Sequence, residues 1–176
     1  MNDRSHRPVD IEASRALTVR PVFVAWLLAV GIDLLFNAGL FSGLFDQTRE
    51  PSLLPDAILF RRIPVAYLAL ATGVVGLAWL LDGTDRRGAW AGATLGALAG
   101  VVVVSMGIGA LWTAVNMTGL FVAVGALVQV GEMAASGAVL GAFRAGGDRR
   151  RLTRWALIFA LLAAVAGIVA QNVIGA

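Results

Sequence analysis

The chain is expected to fold as an all-α integral membrane bundle of five transmembrane helices, and three observations point there. Of its 176 residues, 59% are hydrophobic and 14% charged, and the mean hydropathy is +0.81. A soluble domain runs about 45–50% apolar and about 25% charged, so there is too little charge here to cover a water-facing globule. The apolar residues fall in blocks of about 20, the span that crosses roughly 30 Å of hydrocarbon. Charged residues collect between those blocks. In lipid each backbone amide must find its partner within its own segment, which makes the blocks helices rather than isolated strands.

Taken in order, residues 1–20 mix both charge signs without a sustained apolar face and read as a flexible cytoplasmic tail. Residues 21–176 then read as a single five-helix transmembrane domain. The first apolar block, 22–44, is too long for a cleaved signal segment and has no small-residue cleavage site after it, so it reads as a retained span. The connection FDQTREPSLLPDAILFRR carries Pro51 and Pro55, and Asp56 is placed to cap a short interfacial helix ending at Phe60. A second span covers 63–81, with Pro64 tolerated in its first turn. After LDGTDRRG comes a third span at 89–112. TAVNMTG turns into a fourth at 119–143, and RAGGDRRRLTR leads to a fifth at 155–173.

The arginines orient these spans. All 14 basic residues are arginine, and 11 of them fall in the tail, the second connection and the fourth connection, against three on the other side. The positive-inside rule then puts the N-terminus in the cytoplasm and the C-terminus outside. Trp26, Trp79, Trp90, Trp112 and Trp155 all lie near expected span ends, where indole rings prefer to sit. Arginine without lysine, together with abundant Ala and Gly, fits a GC-rich bacterial genome, and the expected location is the bacterial cytoplasmic (inner) membrane.

Composition also excludes chemistry. Without cysteine there is no disulfide framework, thiolate metal site, thiol nucleophile or iron–sulfur cluster. The single histidine, His6, lies in the polar tail, so no intramembrane imidazole can ligate haem or copper. There is no Ser–His pairing, no Gly-rich loop after a strand and no carboxylate cluster with metal-ligand spacing, so no catalytic residue, metal or cofactor is expected and the chain reads as a non-enzyme. A net charge of +3 and a pI near 10.9 would suit a nucleic-acid binder, but the arginines flank apolar blocks. The expected partner is the lipid bilayer and not a nucleic acid.

Two acids lie inside apolar spans, Asp33 in the first and Glu132 in the fourth. Each is about 11 residues from the cytoplasmic end of its helix, roughly 16 Å deep at ~1.5 Å per residue, which puts both near the midplane at similar depth. Each has an amide one turn toward the outside: Asn37 four residues after Asp33, and Gln129 three residues before Glu132. Ser136 extends the second stripe one turn inward. No span contains a Lys, Arg or His to neutralise the acids, and a charge at the membrane centre costs at least ~2.5 kcal/mol. Two protonated carboxyls, or a pair sharing one proton, bonded to the amides are therefore expected, with a bound cation or a water-filled cavity as the other escape. This pattern suits a small carrier or binding protein whose polar site takes a proton, a cation or a small solute. The competing reading is glue, in which acids and amides fix helix register.

A second pattern is made of glycine. Gly88, Gly92, Gly96 and Gly100 form a ridge along the third span, Gly137 and Gly141 a shorter one in the fourth, and Gly39 and Gly43 end the first. Such ridges let helix backbones approach closely, within the chain or between copies. The alternative function is accordingly a non-catalytic membrane subunit or scaffold that packs through these faces against itself or another membrane protein. Arg149, Arg150, Arg151 and Arg154 suit anionic lipid headgroups as well as setting topology. Ser105, in VVVVSMG, reads as a packing hydroxyl, and Arg61 and Arg62 stand where they could guard an external mouth.

The stretches GIDLLFNAGLFSGLF, FRRIPVAYLALA and LVQVGEMAASGAVLGAF resemble small multi-pass bacterial membrane proteins of unassigned function. In these an acid and an Asn share the first span, an R-(I/V)-P motif precedes the second, and an acid precedes small residues in a later span. The matching positions are Asp33, Asn37, Arg62, Ile63, Pro64, Glu132, Gly137 and Gly141, over about half the chain. The resemblance implies a membrane protein and no particular activity.

Overall fold

A computed structural model of the chain describes residues 9–41, 56–85, 87–114 and 118–174. Among them are five helices, each long and apolar enough to cross a membrane: α1 (Val9–Asp33), α2 (Asp56–Asp82), α3 (Ala89–Ala114), α4 (Gly119–Arg144) and α5 (Arg149–Ile174). A π-helical segment, Leu34–Leu40, continues α1. Gly43, Arg49, Pro51, Pro55, Arg86, residues 115–117 and the first eight residues, His6 included, lie outside the described residues.

Three element ends differ from those the sequence suggests. Helix α1 begins at Val9, inside the stretch read as a tail, because IEASRAL is built from good helix formers and runs on through Pro21. Among the described residues, no separate interfacial helix precedes the second span. Asp56 starts the long helix α2 itself, and Pro64 sits in its interior rather than in its first turn. Helix α5 starts at Arg149 and not near 155. Asp148 caps it, its Oδ1 accepting from the N–H groups of Arg150 (2.9 Å) and Arg151 (3.2 Å). Asp148→Ala should lower the stability of this end by about 1 kcal/mol, seen as a reduced thermal unfolding midpoint in detergent with the midpoint of a distant reference variant unchanged. Thr118 caps α4 in the same way, accepting from Phe121 N at 3.2 Å.

Helices α1 and α4 occupy the middle. Helix α1 packs against α2, α4 and α5, while α4 also packs against α3 and touches α2 and α5. The broadest contact is between α3 and α4, and glycine is the reason. A Cβ on Gly92 would meet the carbonyl of Gly137, one on Gly96 the carbonyl of Met133, and one on Gly141 the carbonyl of Gly88. On Gly100 it would come within 3.0 Å of the Val130 Cα. Gly88 itself has φ +106°, a left-handed conformation that suits glycine, and its N–H donates to the Gly141 carbonyl at 3.1 Å. The ridge glycines thus lie inside the chain's own α3–α4 seam. A second seam joins the first helix to the fifth: a Cβ on Gly31 would stand 2.7 Å from the Ala160 Cα, and one on Gly39 would stand 2.7 Å from the Gly167 Cα.

The ends of α2 and α4 meet where Arg144 reaches Asp82 (3.5 Å) and the Thr84 carbonyl (3.4 Å). Exposed Trp79, Trp90 and Trp155 stand at this arginine-rich end. Trp26 does not join them: it is half-buried, and its indole N–H donates to the Tyr67 carbonyl at 3.0 Å. Behind this end Ala25, Val74, Leu77, Ala78, Leu81, Met133 and Leu140 form the main apolar core. Of the candidate site residues, Ser136 lies within this core, bonded to Ala25, while Asp33 stands two turns farther along α1, away from the arginine-rich end.

Candidate functional site

The site is built on the two central helices. Asp33 is the last residue of α1, where the winding widens. In the segment that follows, the Phe41 N–H reaches back five residues to the Phe36 carbonyl at 2.8 Å, the bond that defines a π-helix and often marks a functional position. Asn37 lies in this segment, and its Nδ2 donates to Asp33 Oδ1 at 2.6 Å. The other carboxyl oxygen, Oδ2, accepts from the Tyr67 hydroxyl of α2 at 3.0 Å. Both oxygens of Asp33 therefore face donors, and the Trp26 bond to the Tyr67 carbonyl steadies the residue that supplies one of them.

Asn37 Oδ1 is left over. It is buried and has no hydrogen-bond partner, an arrangement that normally costs about 1–3 kcal/mol. Glu132, on α4, is 2% exposed. The hydrogen bonds of Asp33 run to Asn37 and Tyr67, not to Glu132.

Ser136 is fully buried one turn nearer the arginine-rich end, and its hydroxyl donates to the Ala25 carbonyl at 3.2 Å. It ties α4 to α1 and sets their register. Asp33 lies eight residues beyond Ala25 and Glu132 four residues beyond Ser136, roughly 12 Å and 6 Å of rise. The two acids are thus about one turn apart along the bundle instead of level. Gln129 is half-buried on α4, outside the Asp33–Asn37–Tyr67 chain.

Arg149, Arg150, Arg151 and Arg154 are all exposed on the first turns of α5, remote from the acids and open to a headgroup layer. Arg61 and Arg62 are exposed on α2, within two turns of Tyr67 and on its side away from the apolar core. Ser105 is exposed, and its hydroxyl donates to the Val101 carbonyl of its own helix (2.8 Å). No set of three or more potential metal ligands of the His, Cys, Asp and Glu type is present among the described residues.

Tyr67 is the residue that sequence reasoning passed over. It is the chain's one tyrosine, three residues after Pro64 in an otherwise apolar run. A lone phenol at that place could have signalled a partner for an acid in another span, because a buried Tyr hydroxyl usually finds one. No protein-family model, curated protein or solved structure matches the chain.

Proposed function

We propose that the chain is a multi-pass protein of a bacterial cytoplasmic membrane, N-terminus inside and C-terminus outside, that binds a small cation or a proton without catalysis. The orientation rests on the arginine distribution. The binding reading rests on one observation: Asn37 Oδ1 is a buried acceptor with no donor, beside the Asp33 carboxyl, in spans that contain no basic side chain. A cation would give Asn37 Oδ1 the positive partner it lacks, next to Asp33. The burial of Glu132 favours a dehydrated ion over an organic solute. Carriage across the membrane is the extension of this reading, with the Val74–Leu81 plug as the barrier an ion has to pass.

A scaffold that docks through its glycine ridges is the weaker alternative. Those glycines already face each other across α3 and α4, so a second copy or another membrane protein would need a different surface.

The test is calorimetric titration of the purified protein in lipid nanodiscs with sodium, lithium and potassium chloride. Saturable binding of at least one is expected, weakened at least ~100-fold in Asp33→Asn/Glu132→Gln, since two charge-assisted contacts of about 1.5–3 kcal/mol each are removed. Flat titrations of the wild-type protein with all three salts would remove the proposal.

A further inference from the structure

We infer that the half of α2 from Arg61 to Thr72 is a gate over Asp33, hinged at Gly73 and Gly76 and held shut by Tyr67; what the gate admits rests on the cation-site reading. The two halves of this helix are attached to the bundle in different ways. Toward the arginine-rich end Val74, Leu77, Ala78 and Leu81 are buried in the apolar core, and Arg144 holds Asp82 and the Thr84 carbonyl. Followed at the spacing of three or four residues that keeps to one helix face, the same face is half-buried at Leu70 and Tyr67 and 40% exposed at Ile63. From Arg61 to Ala69, Tyr67 is the one side chain that is not exposed. Among the described residues, two hydrogen bonds tie this half to another helix, and both end on Tyr67: its hydroxyl donates to Asp33 Oδ2 and its carbonyl accepts from the Trp26 indole, each at 3.0 Å.

The other helices are joined backbone against backbone, α3 to α4 through Gly92, Gly96, Gly137 and Gly141, and α1 to α5 through Gly31 and its neighbours. Helix α2 has no such seam. A Cβ on Gly73 would come no nearer than 3.8 Å, to the Met133 Sδ, and one on Gly76 would meet nothing within 4 Å. Alanine would fit at both places, so packing does not call for glycine there. What glycine does supply is a weaker helix that bends more readily, at the point where the anchored half gives way to the open one. Lipid has no hydrophobic drive to press the open half back onto the bundle, and one interhelical hydrogen bond in a membrane favours contact only about threefold. Two such bonds leave the closed position preferred by roughly tenfold. Tyr67 is ~9 Å and Val65 ~12 Å along the helix from Gly73, so a bend of about 20° carries them about 3 Å and about 4 Å. That parts the Tyr67 hydroxyl from Asp33 Oδ2 and opens this oxygen on the side away from the arginine-rich end.

The chain has no cysteine, so spin labels can be placed singly. Val65 on the gate, Leu80 beyond the hinge and Leu127 on α4 are all exposed. Double electron–electron resonance in lipid nanodiscs, in choline buffer free of sodium, lithium and potassium, compares Val65→Cys/Leu127→Cys with Leu80→Cys/Leu127→Cys. The first pair should show a minor population displaced by about 4 Å from the main one. Tyr67→Phe should raise its share about threefold, and Trp26→Phe/Tyr67→Phe should bring the two populations near equality. Gly73→Ala/Gly76→Ala should reduce the minor population, and the second pair should keep one narrow distance throughout. A single Val65–Leu127 distance that Trp26→Phe/Tyr67→Phe leaves in place overturns the gate. A Leu80–Leu127 distance that shifts along with it, or a Gly73→Ala/Gly76→Ala protein that opens as readily as its parent, overturns the hinge. No ion enters this measurement, so a gate that stays shut leaves the cation site standing, and flat calorimetric titrations remove the cation site while leaving the gate.

Discussion

Gly96→Leu should abolish the folded bundle. A Cβ at this position already collides with the carbonyl of Met133 and comes within 3.1 Å of the Ala134 Cα, so the first added carbon meets backbone with no side-chain end to turn aside. Overpacking a core with flexible neighbours costs typically 1–3 kcal/mol. Against two helix backbones the cost should exceed about 3 kcal/mol, because α3 and α4 would have to separate along their whole seam. Membrane helices have no hydrophobic drive toward one another in lipid to offset that separation. The expected result is loss of the cooperative thermal transition and an early-eluting, aggregated peak in size-exclusion chromatography. Gly107→Leu, where an added Cβ meets nothing within 4 Å, is the matched control and should leave both measurements unchanged. A folded, monodisperse Gly96→Leu would show that the α3–α4 seam is not closely packed.

The second large effect is expected at a residue that touches no ligand. Gly167 of α5 lies against the first turn of the π-segment, where a Cβ would strike the carbonyl of Leu34 and stand 3.1 Å from the Leu35 Cα. Across the same seam Gly39 faces Gly167. Gly167→Val should therefore push the wide turn that carries Asn37 away from its place beside Asp33. Stability should fall by about 1–3 kcal/mol, and in the fraction that remains folded cation affinity should drop at least tenfold. Gly167→Ala tests the same contact more gently and should show a smaller change in both. If Gly167→Val binds normally, the π-segment does not set the position of Asn37.

The helices and the two acids could be read from the residues because both depend on a coarse property, the length of an apolar run and the presence of a carboxyl inside it. The finer geometry could not. The π-segment leaves no trace in the hydrophobic pattern, since widening one turn changes which carbonyl an N–H reaches and not which residues are apolar. Asp148 and three arginines look like a solvated linker, yet the carboxylate caps the very turn the arginines occupy, and α5 starts there. Equal counts from the two span ends made Asp33 and Glu132 level. The Ser136–Ala25 bond shows that α4 extends about one turn farther than α1 from that bond to its estimated boundary, which offsets the acids. Tyr67 was hidden by its surroundings, one polar atom on a ring within an apolar run. The glycine ridge left open whether its partner was the same chain, and only the placement of Gly137 and Gly141 opposite it answers that.

The apolar plug formed by Val74, Leu77, Leu81 and Met133 has an electrical consequence. In a polarised membrane the voltage falls most steeply through the least polarisable layer, and here that layer lies between Asp33 and the arginine-rich end. On the carrier reading proposed above, an ion leaving Asp33 past Leu81 would have to cross this layer and the share of the field that falls through it. A full crossing is worth about 2.3 kcal/mol per elementary charge at 100 mV. On that same reading, discharge toward the arginines should depend on membrane potential.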